Sequence, residues 1–369
     1  MRRALALARR ARTHPNPMVG AVLVKEGRVI GEGWHQGVGT PHAETVALAQ
    51  AGEAAHGATL YVTLEPCSHA VNRDGTPRTP CATRCLDARV ARVVVAMTDP
   101  DDRVSGRGIA RLRSAGVSVS VGLKEETARA LNAAYIKQRT TGLPYIVHKA
   151  AMTLDGKIAA PGGDSRWITG DRARSWAHRH LRNRADALLV GVGTVLADDP
   201  SLTTRLVRGN GHDPLRVIID RSLKTPPSAR IAAAGTLFVA AEGIAPSERI
   251  AALRETGAEV VELPPRADGY IEMRAVALLL AERGLYAVLL EGGGALAAAF
   301  WEADLIDKAF FFIAPKIIGG REAKSPVEGD GLSRSMADAV MLEDLTVRRF
   351  GHDIALEGKV RRKPCLPGL

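Results

Sequence analysis

Three short segments carry residue types that together could run a hydrolytic reaction at a metal ion: His42-Ala43-Glu44, Glu65-Pro66-Cys67 and Pro80-Cys81. One imidazole and two thiolates can hold Zn²⁺ and leave one coordination position open. Water in that position becomes acidic enough to act as a nucleophile near neutral pH. A carboxylate that does not bind the metal can then carry protons to a leaving ammonia. His42, Cys67 and Cys81 are therefore the candidate ligands of one zinc ion per chain, and Glu44 is the candidate proton carrier. Residues two apart do not share a helix face, so His42 and Glu44 need not compete for the ion. Cys81, entered through Pro80, is expected at a helix N-terminus, where the dipole and free N–H groups favour a thiolate.

The general signature of zinc deaminases has a compact Pro-Cys-x-x-Cys run, whereas Cys67 and Cys81 lie well apart and Cys85 offers a competing partner. Cys81 is preferred because Pro80 repeats the Pro-Cys entry; Cys85, one turn further in, is expected in the core. His69 is close enough to Cys67 to be a rival ligand, and is expected instead to face a substrate.

These residues sit in a chain of 369 residues with 46% hydrophobic content, enough for two domains, each with its own core. No apolar run reaches the roughly 18 residues that suggest a membrane span. Met1 to Ala8 is too short an apolar stretch for a signal peptide and reads as an amphipathic helix. Of the four cysteines, Cys67, Cys81 and Cys85 cluster and Cys365 stands alone, a pattern that favours a metal site and a cytoplasmic, reducing compartment. The net charge of +10 is uneven: residues 1–143 hold 20 Lys+Arg against 12 Asp+Glu, and residues 144–369 hold 30 against 28. A basic first half suits a phosphate ester or a nucleic acid; a solvated Arg-rich surface is the plainer explanation.

The elements that must position these groups alternate between β-rich and Ala-rich stretches. Strands are expected at 19–24, 29–34, 58–64, 90–97 and 117–121, with helices at 42–51, 81–88, 109–115 and 127–141. Thr141-Gly142-Leu143-Pro144 marks a boundary. Beyond it, strands are expected at 145–151, 187–190, 215–220, 236–240, 286–290 and 310–313, with helices at 171–184 and 295–302. The alternation argues α/β with a central sheet in each half. Residues 361–369 read as a basic tail.

In the second half, Gly191-Val192-Gly193-Thr194 and Glu291-Gly292-Gly293-Gly294 each follow an apolar strand. Glycine lets phosphate oxygens approach backbone N–H groups, so these turns are candidates for a dinucleotide or phosphate site, although neither is a Gly-x-Gly-x-x-Gly fingerprint. Arg182 and Arg205 are the candidate partners of a substrate phosphate, because the guanidinium fork suits its oxygens. Lys149, projecting from a strand, could donate to a substrate carbonyl or be a plain exposed lysine.

Over nearly its whole length the chain resembles the bifunctional deaminase/reductases of riboflavin biosynthesis. The resemblance rests on Pro15-Asn16-Pro17-Met18-Val19-Gly20, His42-Ala43-Glu44, Thr63-Leu64-Glu65-Pro66-Cys67-Ser68-His69, Asp99-Pro100 and Gly106-Arg107-Gly108. It continues through Lys149 to Ala159, Trp167-Ile168-Thr169-Gly170, Gly191 to Pro200 and Glu291-Gly292-Gly293. It implies a cytidine-deaminase-like three-layer α/β/α domain over 1–143 and a dihydrofolate-reductase-like α/β domain over 144–360. The first would remove the 2-amino group of a diaminopyrimidinone bearing a phosphoribosylamino group, and the second would reduce the opened ribose with NADPH.

On that resemblance Asn16 and His69 contact the pyrimidine, and a basic residue from the loop before Cys81 holds the substrate, Arg78 being the candidate and Arg73 the rival. Residues 71–77 read as an insertion relative to the family, which loops tolerate. The resemblance also implies Ser165, Leu202 and Glu291 at the reductase substrate, and Ala151, Trp167, Thr194, Asp198 and Gly293 at NADPH. Trp167 could equally anchor a core. The family implies a homo-oligomer acting on a small phosphorylated pyrimidine, with no nucleic acid or membrane involved. Two other readings compete: a tRNA or DNA base deaminase with an accessory domain, and a zinc-stabilised scaffold without activity.

Overall fold

The structure, a computed structural model of the chain, describes residues 1–71, 75–102, 104–206 and 211–361. Arg73, Cys365 and the tail from residue 362 lie outside the described residues. The chain divides into two compact units, Met1–Leu143 and Pro144–Leu369.

The first unit begins with α1 (Arg2–Ala8), β1 (Gly20–Lys25), β2 (Arg28–Trp34) and α2 (Ala43–Ala51). It continues through β3 (Thr59–Val62), α3 (Cys81–Asp87), β4 (Arg92–Val95), α4 (Arg107–Ser114) and β5 (Ser118–Val121), and closes with α5 (Glu125–Leu131) and α6 (Ala133–Thr141). The strands form one sheet in the order β2-β1-β3-β4-β5. β1 runs antiparallel to both β2 and β3, while β3, β4 and β5 are parallel. Side chains of successive strand residues point to opposite faces. Ala21 and Leu23 accordingly join the core that contains Ala43 and Ala47 of α2, while Val22 packs with Ala4 and Leu7 of α1.

Glycines bring the helices down onto this sheet. A Cβ on Gly33 would lie 2.2 Å from the Ala43 carbonyl oxygen, and one on Gly31 would lie 2.2 Å from that of Ala47. α2 therefore rests directly on the β2 backbone, and its first turn, which carries His42 and Glu44, is fixed in height above the sheet.

The second unit begins with β6 (Tyr145–Thr153), α7 (Asp171–His180), β7 (Ala187–Gly191), α8 (Val192–Asp198), β8 (Leu215–Ile219) and β9 (Thr236–Ala241). There follow α9 (Ser247–Glu255), β10 (Glu259–Leu263), α10 (Met273–Glu282), β11 (Ala287–Leu290) and α11 (Gly294–Glu302). β12 (Ile306–Ala314), β13 (Leu342–Phe350) and β14 (Asp353–Val360) complete it. The sheet order is β10-β9-β8-β7-β11-β6-β12-β14-β13, parallel from β10 to β12 and antiparallel at the β14 and β13 edge. Residues 187–190 of β7 and all of β9 are buried, as parallel strands covered on both faces must be. Among the described residues no helix is long and apolar enough to cross a membrane.

Three expectations are corrected. The helix expected over 127–141 is two helices, because Asn132 turns out of the helical path and its side chain clamps the Met18 backbone, accepting from the Met18 N–H at 2.8 Å and donating to the Met18 carbonyl at 3.0 Å. The helix expected over 171–184 ends at His180, so Arg182 and Arg184 stand on a following 3₁₀ turn. The segment read as a glycine turn at 191–194 is the N-cap and first turn of α8.

The packing of α2 on Gly33 yields a prediction. Gly33→Ala should destabilise the first unit by about 1–3 kcal/mol, the usual cost of forcing extra volume into close-packed backbone. Urea unfolding measures this, and an unchanged midpoint would show that α2 does not rest on β2 as described.

Candidate active sites

In the first unit, three loops converge on one point. His42 is the N-cap residue of α2, Cys81 opens α3, and Cys67 lies on the segment that leaves β3. One donor atom from each falls within 4.8 Å of the others. The imidazole turns Nδ1 toward the sulfurs, 3.7 Å from Cys67 Sγ and 3.4 Å from Cys81 Sγ. Glu44 is buried and is not part of this donor set. Cys85, also buried, belongs to the hydrophobic core instead.

The electrostatics suit a cation. The Cys81 thiol donates to Cys67, and this hydrogen bond, aided by His42, drives the Cys67 pKa well below that of an ordinary thiol despite burial. The Cys81 thiol is correspondingly pushed up. Burial raises the Glu44 carboxyl to about 7. Burial opposes protonation of His42, but the hydrogen bond to Cys67 and the Glu44 charge raise it on balance. Arg78 reaches into the donor set, its guanidinium 3.2 Å from Cys67 Sγ and 3.1 Å from His42 Nε2, and so places positive charge against the sulfur. Two sulfurs and a nitrogen of this kind form a donor set that fits Zn²⁺.

The other deaminase candidates surround this point. His69 Nε2 lies 3.4 Å from the Arg78 guanidinium. Asn16 Nδ2 is 3.1 Å from His35 Nε2, and His35 Nδ1 is 3.2 Å from the Pro41 carbonyl. The carbonyl can only accept, so Nδ1 carries the proton and Nε2 accepts from the Asn16 amide. His35 thus fixes the Asn16 amide with Oδ1 left as its acceptor. Sequence reasoning missed His35, although it lies in the same segment as His42.

In the second unit, register does the positioning. Leu290 pairs with His148, which sets Glu291 beside Lys149. The Glu291 carboxylate accepts from Arg182 at 3.0 and 2.8 Å and lies 3.7 Å from the Lys149 ammonium. Burial would raise the Glu291 carboxyl, but Arg182 and then Lys149 outweigh it and hold it well below the usual range. Arg182 also donates to the Thr203 carbonyl at 3.1 Å, so much of its fork is engaged by the protein itself. Arg205 is exposed, and its backbone N–H donates to His178 Nδ1 at 3.2 Å. Burial, then Arg182 and Arg205, lower the His178 pKa to about 4. His178, absent from the sequence expectations, therefore stands neutral against this basic group.

The two glycine-rich segments meet at the ends of neighbouring parallel strands β7 and β11. The Gly293 N–H donates to Thr194 Oγ1 at 3.2 Å. Gly292 has φ +119, and a Cβ there would fall 2.7 Å from Thr194 Oγ1. Gly292 thus packs against Thr194, while at Gly293, the N-cap of α11, a Cβ would meet nothing nearer than Thr194 Oγ1 at 4.0 Å, an open backbone that fits a bound phosphate group. Arg166 donates to the Asp198 carbonyl at 2.9 Å and so brings the segment holding Ser165 and Trp167 to α8. Ser165 is half-buried. Trp167 is 57% exposed rather than a core anchor, with the Arg174 guanidinium 4.2 Å from its ring centre. Ala151 is half-buried on β6, and Leu202 is buried with φ +52.

Comparison with known proteins finds relatives for both units. Residues 1–97 match the cytidine and deoxycytidylate deaminase zinc-binding region, and residues 144–356 match the RibD C-terminal domain. The riboflavin biosynthesis protein RibD of Aquifex aeolicus is 41% identical over 361 residues, covering 96% of each chain. The solved structure of Acinetobacter baumannii RibD, form 1, superimposes with a TM-score of 0.84 at 36% identity, covering 98% of each chain. A Thermotoga maritima diaminohydroxyphosphoribosylaminopyrimidine deaminase/5-amino-6-(5-phosphoribosylamino)uracil reductase gives a TM-score of 0.83 at 33% identity, covering 98% of this chain and 97% of that one. The first unit thus has a cytidine-deaminase-type fold and the second a dihydrofolate-reductase-type α/β fold. With relatives matched along nearly its whole length, the chain belongs to the RibD family of riboflavin biosynthesis proteins, which join a zinc-binding deaminase domain to a reductase domain.

Proposed function

We propose that the chain catalyses two consecutive steps of riboflavin biosynthesis. The first is hydrolytic deamination of 2,5-diamino-6-(5-phosphoribosylamino)pyrimidin-4(3H)-one, and the second is NADPH-dependent reduction of the ribose to a ribityl phosphate. The observation that carries this reading is the convergence of His42, Cys67 and Cys81 beside a buried carboxylate outside the donor set. It occurs in a chain whose second unit matches the RibD C-terminal domain.

In the deaminase, His42, Cys67 and Cys81 would hold zinc, which supplies Lewis acidity and an open position for water. Glu44, with its pKa raised to about 7 by burial, is poised to take a proton and return it to the leaving amine. Asn16 offers its oriented Oδ1 to the pyrimidine ring, with His69 and Arg78 as further substrate contacts.

In the reductase, hydride chemistry belongs to the nicotinamide, and the protein binds and orients. Ala151, Trp167, Thr194, Asp198 and Gly293 form the NADPH side, the Thr194–Gly293 hydrogen bond holding the glycine backbone in shape. Lys149, Ser165, Arg182, Leu202, Arg205 and Glu291 form the substrate side. Arg205 is the better-placed phosphate partner, because Glu291 already engages Arg182. The free thiols of Cys67, Cys81 and Cys85 suit a reducing cytoplasm, and the family resemblance favours a homo-oligomer.

Incubation with the diaminopyrimidinone phosphate should release ammonia without cofactor, and the product should then oxidise NADPH. Cofactor oxidation before any ammonia release would overturn the order. Glu44→Gln should cut deamination by about 10²–10⁴-fold, the usual worth of a general acid–base group, with zinc content unchanged. Chelation of zinc should abolish ammonia release while NADPH oxidation on pre-deaminated substrate persists; loss of both together would contradict two separate centres.

The buried Glu291 group predicts a pH dependence of stability. A carboxyl with a folded pKa below its unfolded value adds stability above about pH 4.3 and loses it as pH falls through the folded value. The second unit should therefore weaken on acidification below the ordinary carboxylate range. Glu291→Gln should remove that acid dependence and, by leaving Arg182 and Lys149 without their carboxylate, cost about 3–5 kcal/mol at neutral pH. Denaturant unfolding across pH checks both effects, and an unchanged acid limb in the variant would show that Glu291 is not its source.

A further inference from the structure

The geometry points to Glu65 as a positioning residue of the deaminase metal centre, an inference that rests on the reading that His42, Cys67 and Cys81 hold zinc. Glu65 is 3% exposed and lies outside the donor set. Its carboxylate accepts four backbone N–H groups from a distant stretch of chain. Asp99 and Gly106 donate to Oε2 at 3.3 and 2.9 Å, and Gly108 and Ile109 donate to Oε1 at 2.9 and 3.1 Å. The first turn of a helix leaves N–H groups without partners and carries positive partial charge. The N-cap residue of α4, Gly106, has no side chain to offer, so Glu65 caps the helix from elsewhere in the chain.

The carboxylate sits two residues before Cys67, and the residue between them is also fixed. A Cβ on Gly108 would lie 1.9 Å from the Pro66 carbonyl oxygen, so Pro66 rests on the first turn of α4. From the other side, α3 grips Cys67: the Cys81 N–H donates to its sulfur at 3.3 Å and the Ala82 N–H to its carbonyl at 3.2 Å. Cys67 is thus held between the N-termini of two helices, through Glu65 and Pro66 at α4 and directly at α3. The glycines of Gly106-Arg107-Gly108 make this contact possible, since Gly106 takes φ +79 and Gly108 admits Pro66. Glu65 sets where the sulfur stands; it touches neither substrate nor metal.

The test titrates Co²⁺ into the metal-free full-length protein, reading the dissociation constant and the thiolate-to-cobalt absorption, with circular dichroism as the control for folding. Glu65→Gln keeps the shape but sets an amide NH₂ against two of the four N–H donors. It should weaken Co²⁺ binding by about 10–100-fold, the range typical for partners that orient metal ligands. NADPH oxidation by the reductase should remain. Gly108→Ala, which keeps the carboxylate but displaces Pro66 and crowds Glu65 Oε1 at 3.2 Å, should weaken binding by roughly tenfold or more. A lowered melting temperature with wild-type Co²⁺ affinity and spectrum in both variants would make Glu65 a helix cap only and overturn the proposal. Should Glu65→Gln fail to fold, Gly108→Ala decides by the same readings. Absence of Co²⁺ binding in the unaltered protein would reject the zinc reading and this inference with it; normal binding there and in both variants rejects this inference alone.

Discussion

Two sulfurs cannot crowd together beside an imidazole in a protein interior as thiolates unless positive charge stands among them. This constraint organises the first unit. Cys67 and Cys81 are buried, their thiols share a proton, and the Arg78 guanidinium lies against Cys67. The elements that bring them there also build the core of the unit. α2 rests on β2 through Gly31 and Gly33, α3 begins at Cys81, and the segment leaving β3 is pinned to α4. A cation with tetrahedral preference would resolve the charge and leave Glu44 as a neighbour rather than a ligand.

The second unit solves a different problem. Hydride transfer asks for two molecules held in fixed relation, and no acid–base pair has to be built. Adjacent parallel strands supply the frame: β7 and β11 end in glycine-rich helix starts, and β6, next to β11, carries Lys149 and Ala151. Glu291 is the fixed point beside that frame. By occupying Arg182 and Lys149 it orients two cations, while Arg205 stays exposed.

The candidate metal site was legible because its residues are rare types in short local patterns, and the fold brings His42, Cys67 and Cys81 together. Much of the strand and helix series was legible from hydrophobic runs, but β10, β13, β14, α8, α9 and α10 of the second half were not expected. What was not legible depends on partners far away in sequence. The break at Asn132 arises from hydrogen bonds to Met18, and the role of Glu65 arises from backbone N–H groups that have no side-chain signature. The first turn of α8 looked like a loop because Gly191 and Gly193 flank Val192, yet Gly191 is only its N-cap. β13 escaped notice because most of its residues are exposed and no alternation of burial marks it. Arg182 was read as a phosphate ligand from its side-chain type; strand register gave it Glu291.

The central claim is that one imidazole and two particular cysteines hold the ion. Zinc-edge X-ray absorption on the purified protein, combined with elemental analysis, measures it most directly. The expected result is one zinc per chain with two sulfurs at about 2.3 Å and one imidazole nitrogen at about 2.0 Å, unchanged by Cys85→Ala and lost with Cys81→Ala. Substoichiometric zinc, or a sulfur shell that depends on Cys85 rather than Cys81, would contradict it.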